Sequence, residues 1–154
     1  MRYVIAVILG IGMLASRCPA QTGDVHGRAP AEKQYIKPSA VIGPYTPAVR
    51  AGDLLFVSGQ IAIDPATGAL VQGSIEAETR QVLANLDRVL KAAGYDSSQV
   101  VSATVYLTDM GNYAAMNAVY GAYFPAGRYP ARAAVQVTAL PKGANVEIAV
   151  TACK

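Results

Sequence analysis

Tryptophan is absent from the 154 residues, histidine occurs once, at His26, and cysteine twice, at Cys18 and Cys153. These scarcities exclude whole classes of chemistry. A lone histidine in a Gly/Pro/polar stretch supplies no Ser–His or Cys–His nucleophile system. No His/Cys/carboxylate cluster offers the ligand spacing of a protein-built metal site, so none is expected. Cys153 stands one residue from the C-terminus, and Cys18 falls in a segment read below as removed, which leaves no internal disulfide. Charge is also sparse: 13 basic residues against 10 acidic ones.

The one long apolar run lies at the N-terminus. Residues 1–20 read as a secretory signal peptide. Arg2 supplies the positive end, and Tyr3 to Ala15 is an apolar stretch too short to span a bilayer comfortably. Cys18-Pro19-Ala20 offers small residues for cleavage before Gln21. Arg17 separates Ser16 from Cys18 and so interrupts a lipidation box. A cleaved, periplasmic or secreted protein is expected, without a membrane anchor, in a compartment that would permit disulfides. Removing Arg2 and Arg17 and no acid leaves 11 basic against 10 acidic residues, a net charge of +1. That is no electrostatic footprint for nucleic acid or an anionic membrane.

Residues 21–32 are Gly/Pro/polar and read as a flexible leader; 33–154 form one domain. Lys33 to Pro38 is a weak strand signal. Ala48–Ala51 and Leu54–Ile61 read as a hairpin turning at Ala51-Gly52-Asp53. Ser74 to Ala93 is a helix with Ile75, Val82, Leu83, Leu86, Val89, Leu90 and Ala93 on one stripe, Ser74 as N-cap and Gly94 beyond its end. Val100 to Leu107 alternates as a half-buried strand, with Val101, Ala103, Val105 and Leu107 facing in. Asp109 caps a second helix reaching about Phe124, whose apolar stripe is Tyr113, Met116, Tyr120 and Phe124. Arg132–Val137 and Asn145–Thr151 are expected to form a final strand pair. The order β-β-α-β-α-β-β gives an α+β fold with two helices on one face of a mixed sheet. Ser102, Thr104, Tyr106, Ala134 and Ala149 would lie on the open face, which suits a homo-oligomer packing sheet faces together.

Some residues invite a functional reading beside a structural one. Pro130 stiffens the backbone before Arg132, whose guanidinium among small residues is free to meet a planar carboxylate or to sit as an ordinary surface charge. Glu147 is the only ionisable group within the last strand, either solvated or in need of a partner. Asn117, beside the helix stripe, either ties down a loop or faces a cleft. Tyr45, bracketed by Pro44 and Pro47, packs a loop or lines a pocket. Gly59, late in a strand, marks a bulge or a close backbone approach.

Gly43-Pro44-Tyr45, Phe56-Val57-Ser58-Gly59-Gln60, Thr79-Arg80-Gln81-Val82-Leu83-x-Asn85-Leu86, Tyr106-Leu107-Thr108-Asp109-Met110, Pro130-Ala131-Arg132 and Leu140-Pro141-Lys142-Gly143-Ala144-x-Val146-Glu147-Ile148 together resemble the RidA (YjgF) family of imine and enamine deaminases, over roughly residues 33–152. The resemblance implies a chorismate-mutase-like fold, a homotrimer with ligand clefts between subunits, and hydrolysis of 2-iminobutanoate- or 2-iminopropanoate-like acids without metal or organic cofactor. It implies Arg132 as the carboxylate anchor and Glu147 as the group that positions water, with Tyr45, Ser58, Gly59 and Asn117 as substrate-binding residues. Ala133 and Ala134 depart from the hydroxyl- or thiol-bearing residues of many members, and the signal peptide is a second departure. An exported ligand-binding or holdase-like protein on the same fold, without deaminase turnover, is the alternative. RNA cleavage, also attached to the family, is disfavoured by the low charge and the lack of an aromatic-basic platform.

Overall fold

The strands β1 (Lys33–Ile36), β2 (Ala48–Ala51) and β3 (Leu54–Gln60) precede helix α1 (Ile75–Ala92). Strand β4 (Val100–Leu107), helix α2 (Tyr113–Tyr123) and strands β5 (Ala131–Gln136) and β6 (Val146–Cys153) follow. This computed structural model describes residues 31–38 and 41–154. The signal peptide, Cys18 and the part of the leader that holds His26 lie outside the described residues.

Local chemistry sets the helix ends. Ser74 Oγ accepts the Ala77 N–H at 3.2 Å, closing the start of α1. Gly94, at φ +76°, takes the left-handed turn beyond its end. Between these ends Val82, Leu86, Val89 and Leu90 are fully buried, each contributing roughly 1.5–3 kcal/mol. Asp109 Oδ1 accepts the Gly111 N–H at 2.8 Å and caps a 3₁₀ turn, Met110–Asn112, that leads into α2. Met116, Tyr120 and Phe124 of the expected stripe are buried, but Tyr113 is not.

The six strands form one sheet in the order β1-β2-β3-β6-β4-β5. All neighbours are antiparallel except β4 and β5, which run parallel. The last two strands therefore do not pair with each other. The α2 crossover returns β5 parallel to β4, and the 137–144 connection carries the chain across to the slot between β3 and β4. Both helices cover one sheet face, where Leu55, Val57, Val105, Leu107 and Ile148 meet them.

Two further expectations are corrected. Val101 is 48% exposed and Val100 is buried in its place, because the β4–β6 register shifts between Val100 and Ser102. Ala134 packs against the helix-side core rather than the open face, since it lies opposite Val105. The open face instead carries Ala133 beside Thr104 and Ala149, Val135 beside Tyr106, and Phe56 beside Thr151. Phe56 is 49% and Val135 41% exposed there.

Candidate active site

Arg132 enters on β5, the edge strand, opposite buried Ala103. That register sends its side chain to the helix-bearing face. Its guanidinium carbon stands 4.4 Å from the Tyr120 ring centroid and 5.7 Å from that of Tyr113, and Nη2 donates to Tyr113 Oη at 3.3 Å. Such stacking orients a guanidinium while leaving its in-plane donors free. Among the described residues no acidic side chain pairs with it. Asn117 lies one turn beyond Tyr113 on α2. The Asn117 amide and, after it, the positive charge of Arg132 hold the Tyr113 phenol below its ordinary range. Burial raises that of Tyr120, with Arg132 opposing. Asn117, Tyr120, Gly121, Tyr129, Pro130 and Arg132 line a cleft of about 410 Å³.

Glu147 belongs to a different neighbourhood. It sits on β6 opposite Tyr106, so it projects from the open face while Val146 and Ile148 on either side are buried. Strand β6 is central, not an edge. The Glu147 side chain lies over Gly59: a Cβ at that position would overlap its carboxylate, so only glycine leaves the room. Partial burial pushes the Glu147 carboxyl above its ordinary 4.5. Among the described residues nothing donates a hydrogen bond to it.

Ser58 serves the backbone here. Its Oγ donates to the Thr46 carbonyl at 2.7 Å and its N–H to the Pro47 carbonyl at 2.9 Å, which ties the Tyr45 loop to β3. Tyr45 and Gly59 share a second cleft, of about 270 Å³, with Asn85 and Arg88 of α1. Asn85, 3% exposed, donates to the Ile61 and Ile63 carbonyls at 2.9 and 2.8 Å and so fixes the chain leaving Gly59-Gln60.

The six site residues read from the sequence thus fall into two groups. Tyr45, Ser58, Gly59 and Glu147 gather at β3 and β6; Arg132 and Asn117 gather at β5 and α2. Within one chain, Arg132 lies opposite Ala103 and Glu147 opposite Tyr106, so two strand spacings across and three residues along β4, about 10 Å in each direction, separate them, and they face opposite sides of the sheet. Tyr113 and Tyr120, read from the sequence as stripe residues only, are the ring platform under Arg132. Their seven-residue spacing on one helix face was the available signal.

A single mixed six-stranded sheet bearing two helices on one side defines an α+β protein. The model of the family described as Endoribonuclease L-PSP matches residues 36–154. A RutC family protein of Pyrococcus horikoshii is 51% identical over 113 residues, covering 73% of this chain and 89% of that protein. A goat (Capra hircus) protein named 2-iminobutanoate/2-iminopropanoate deaminase is 50% identical over 112 residues, covering 73% and 81%. The crystal structure of the Rid-family protein YyfA from Yersinia pestis superposes with a TM-score of 0.76 at 45% identity, covering 80% of this chain and all of that one. The YjgF gene product of E. coli gives a TM-score of 0.73 at 35% identity, over 79% and 98%. The chain belongs to the Endoribonuclease L-PSP family, the family of the RidA, YjgF and RutC proteins.

Proposed function

We propose that this protein hydrolyses reactive 2-imino acids, and the enamines in equilibrium with them, to 2-oxo acids and ammonia. The observation that carries this reading is the Arg132 guanidinium, stacked on Tyr120 and unmatched by any described acid. Relatives at about half identity that are named deaminases support it. Arg132 anchors the substrate carboxylate through two parallel hydrogen bonds. Glu147 takes a proton from water as the oxygen adds to the imine carbon. The resulting carbinolamine regains a proton on nitrogen and expels ammonia, leaving the carbonyl. The imine carbon is already electrophilic, so holding substrate and water in place supplies most of the acceleration, with several kcal/mol available from positioning.

The two groups of residues on opposite faces support a site completed by a second copy. The open face, with exposed Phe56 and Val135 beside small polar residues, suits that contact, and we assign it to a homotrimer. Export after loss of residues 1–20 belongs to the same reading, and N-terminal sequencing of secreted protein tests it.

The deciding experiment generates imines in situ with an amino-acid oxidase and follows their loss. Arg132→Ala should lower the rate at least ~10²-fold with the assembly intact by sedimentation. Full activity in that variant would refute the mechanism. Ala134 gives the second reading, a ligand-binding or holdase-like protein, its one specific support: it shares the sheet face of Arg132 and offers no hydroxyl or thiol there. Binding of 2-oxo acids without imine hydrolysis would establish it. Ribonuclease activity has weaker support, because one guanidinium beside Tyr113 and Tyr129 forms no groove to track a phosphate backbone.

A further inference from the structure

The cleft beside Gly59 holds two cations that the proposed reaction does not use. Arg88 of α1 and Lys142 line it, with Tyr45 and Gly59. The Arg88 guanidinium has five N–H donors. One of them, on Nη2, makes a long 3.4 Å contact with Asn85 Oδ1, an oxygen already taken by Gln81 Nε2 at 3.0 Å. Its Nε is buried without a partner. Lys142 stands at φ 59°, ψ 15°, in the left-handed region, the one side-chain-bearing residue so placed among the described residues. Backbone held there marks positions that the surrounding fold over-determines. The acid of the cleft, Asp64, is committed to its own turn: Oδ1 accepts the Ala66 N–H at 2.8 Å and Oδ2 accepts Thr67 Oγ1 at 3.2 Å. Among the described residues no carboxylate forms an ion pair with Arg88 or Lys142.

A concave surface with two cations against one carboxylate, neither cation ion-paired among the described residues and one a poorly satisfied guanidinium, suits an anion of planar, carboxylate-like form. It adjoins Gly59, against which Glu147 rests. We propose that this cleft receives a second acidic group of the substrate, so that the preferred substrates are imines of amino dicarboxylic acids, hydrolysed with one water to a 2-oxo dicarboxylate and ammonia. The proposal rests on the imine-hydrolysis reading for its chemistry, but the anion site itself does not. Arg132 of a second copy would hold the carboxylate next to the imine, and Arg88 with Lys142 the distal one.

The test is calorimetric titration of the assembled protein with 2-oxoglutarate and with 2-oxobutanoate, beside hydrolysis of imines made from aspartate and from alanine. Wild type should bind the dicarboxylate about tenfold or more tightly than the monocarboxylate, as one added charge-assisted pair warrants. Arg88→Met, close in shape and free of the unpartnered Nε, should erase that preference and leave 2-oxobutanoate binding unchanged; Lys142→Met should act in the same direction. Equal affinity of wild type for both acids, or equal weakening of both by Arg88→Met, overturns the proposal. Dicarboxylate preference lost in Arg88→Met while neither imine is hydrolysed upholds the anion site and instead removes the imine reading.

Discussion

At the scale of single residues, a glycine makes room for a carboxylate: Glu147 occupies the space a side chain at residue 59 would take. A methyl group at Gly59 would meet the Glu147 side chain, not backbone, and a side chain can swing aside. Gly59→Ala should therefore cost under about 1 kcal/mol of stability and still cut turnover by the ~10²–10⁴-fold typical of a lost general base. If displacement of Glu147 is the whole effect, Gly59→Ala/Glu147→Gln should be no slower than Glu147→Gln alone. Additive losses measured in the four-member cycle would place the glycine's role elsewhere. The same carboxyl sets a pH dependence. Burial raises its pKa above 4.5, so the folded chain holds that proton more tightly than the unfolded one. Its stabilising contribution is complete below pH 4.5 and is lost as pH rises through the raised value. Glu147→Gln should thus gain stability relative to wild type on going from pH 4 to pH 8, seen in paired melting curves. The acid limb of kcat/KM should lie above that of an ordinary carboxylate, because water activation needs the ionised form.

At the scale of elements, α1 does more than cover the sheet. Its Asn85 replaces strand partners for the Ile61 and Ile63 carbonyls, just where β3 ends and the chain turns past Gly59. Asn85→Ala removes both of these bonds, leaving the Ile61 carbonyl with the Ile63 N–H at 2.8 Å and the Ile63 carbonyl with only a long 3.4 Å contact to Gln81 Nε2, and should destabilise the fold by about 1–3 kcal/mol, measured by urea denaturation. A second tether acts at the start of β6: buried Glu78 accepts the Asn145 N–H at 3.0 Å and its Nδ2 at 2.7 Å. Both α1 residues explain why polar side chains stand in a helix whose apolar stripe was plain from spacing. That stripe, the Ser74 cap, the Gly52 turn and the Asp109 start were legible because each follows from local chemistry. That β5 and β6 each pair with β4 and not with one another was not, because alternation fixes which face a side chain takes and says nothing of which strand lies alongside. The bulge at Val101 was hidden for the same reason: one inserted residue flips the face without changing composition. The site residues were legible as types. Their division into two groups followed only from strand order, which put Glu147 on a central strand and turned it away from Arg132.

At the scale of the whole molecule, that division becomes a test of how many chains make one site. Arg132 and Glu147 face opposite sides of one sheet, with β4 between their strands. A small imino acid spans only a few ångströms and cannot bridge them within a protomer. If the working site takes Arg132 from one copy and Glu147 from the next, two inactive variants can repair each other. Arg132→Ala and Glu147→Gln, each expressed alone, should be inactive. Co-expressed so that the proposed trimers assemble from both, they would place a native arginine opposite a native glutamate at about a quarter of the shared sites, by random assortment. Recovered imine hydrolysis near that fraction of wild type is the expected result. A co-expressed mixture as inactive as either variant, with mixed assemblies demonstrated by differential tagging, would mean that both residues must come from one chain. The opposed faces of β5 and β6 would then leave them no common substrate.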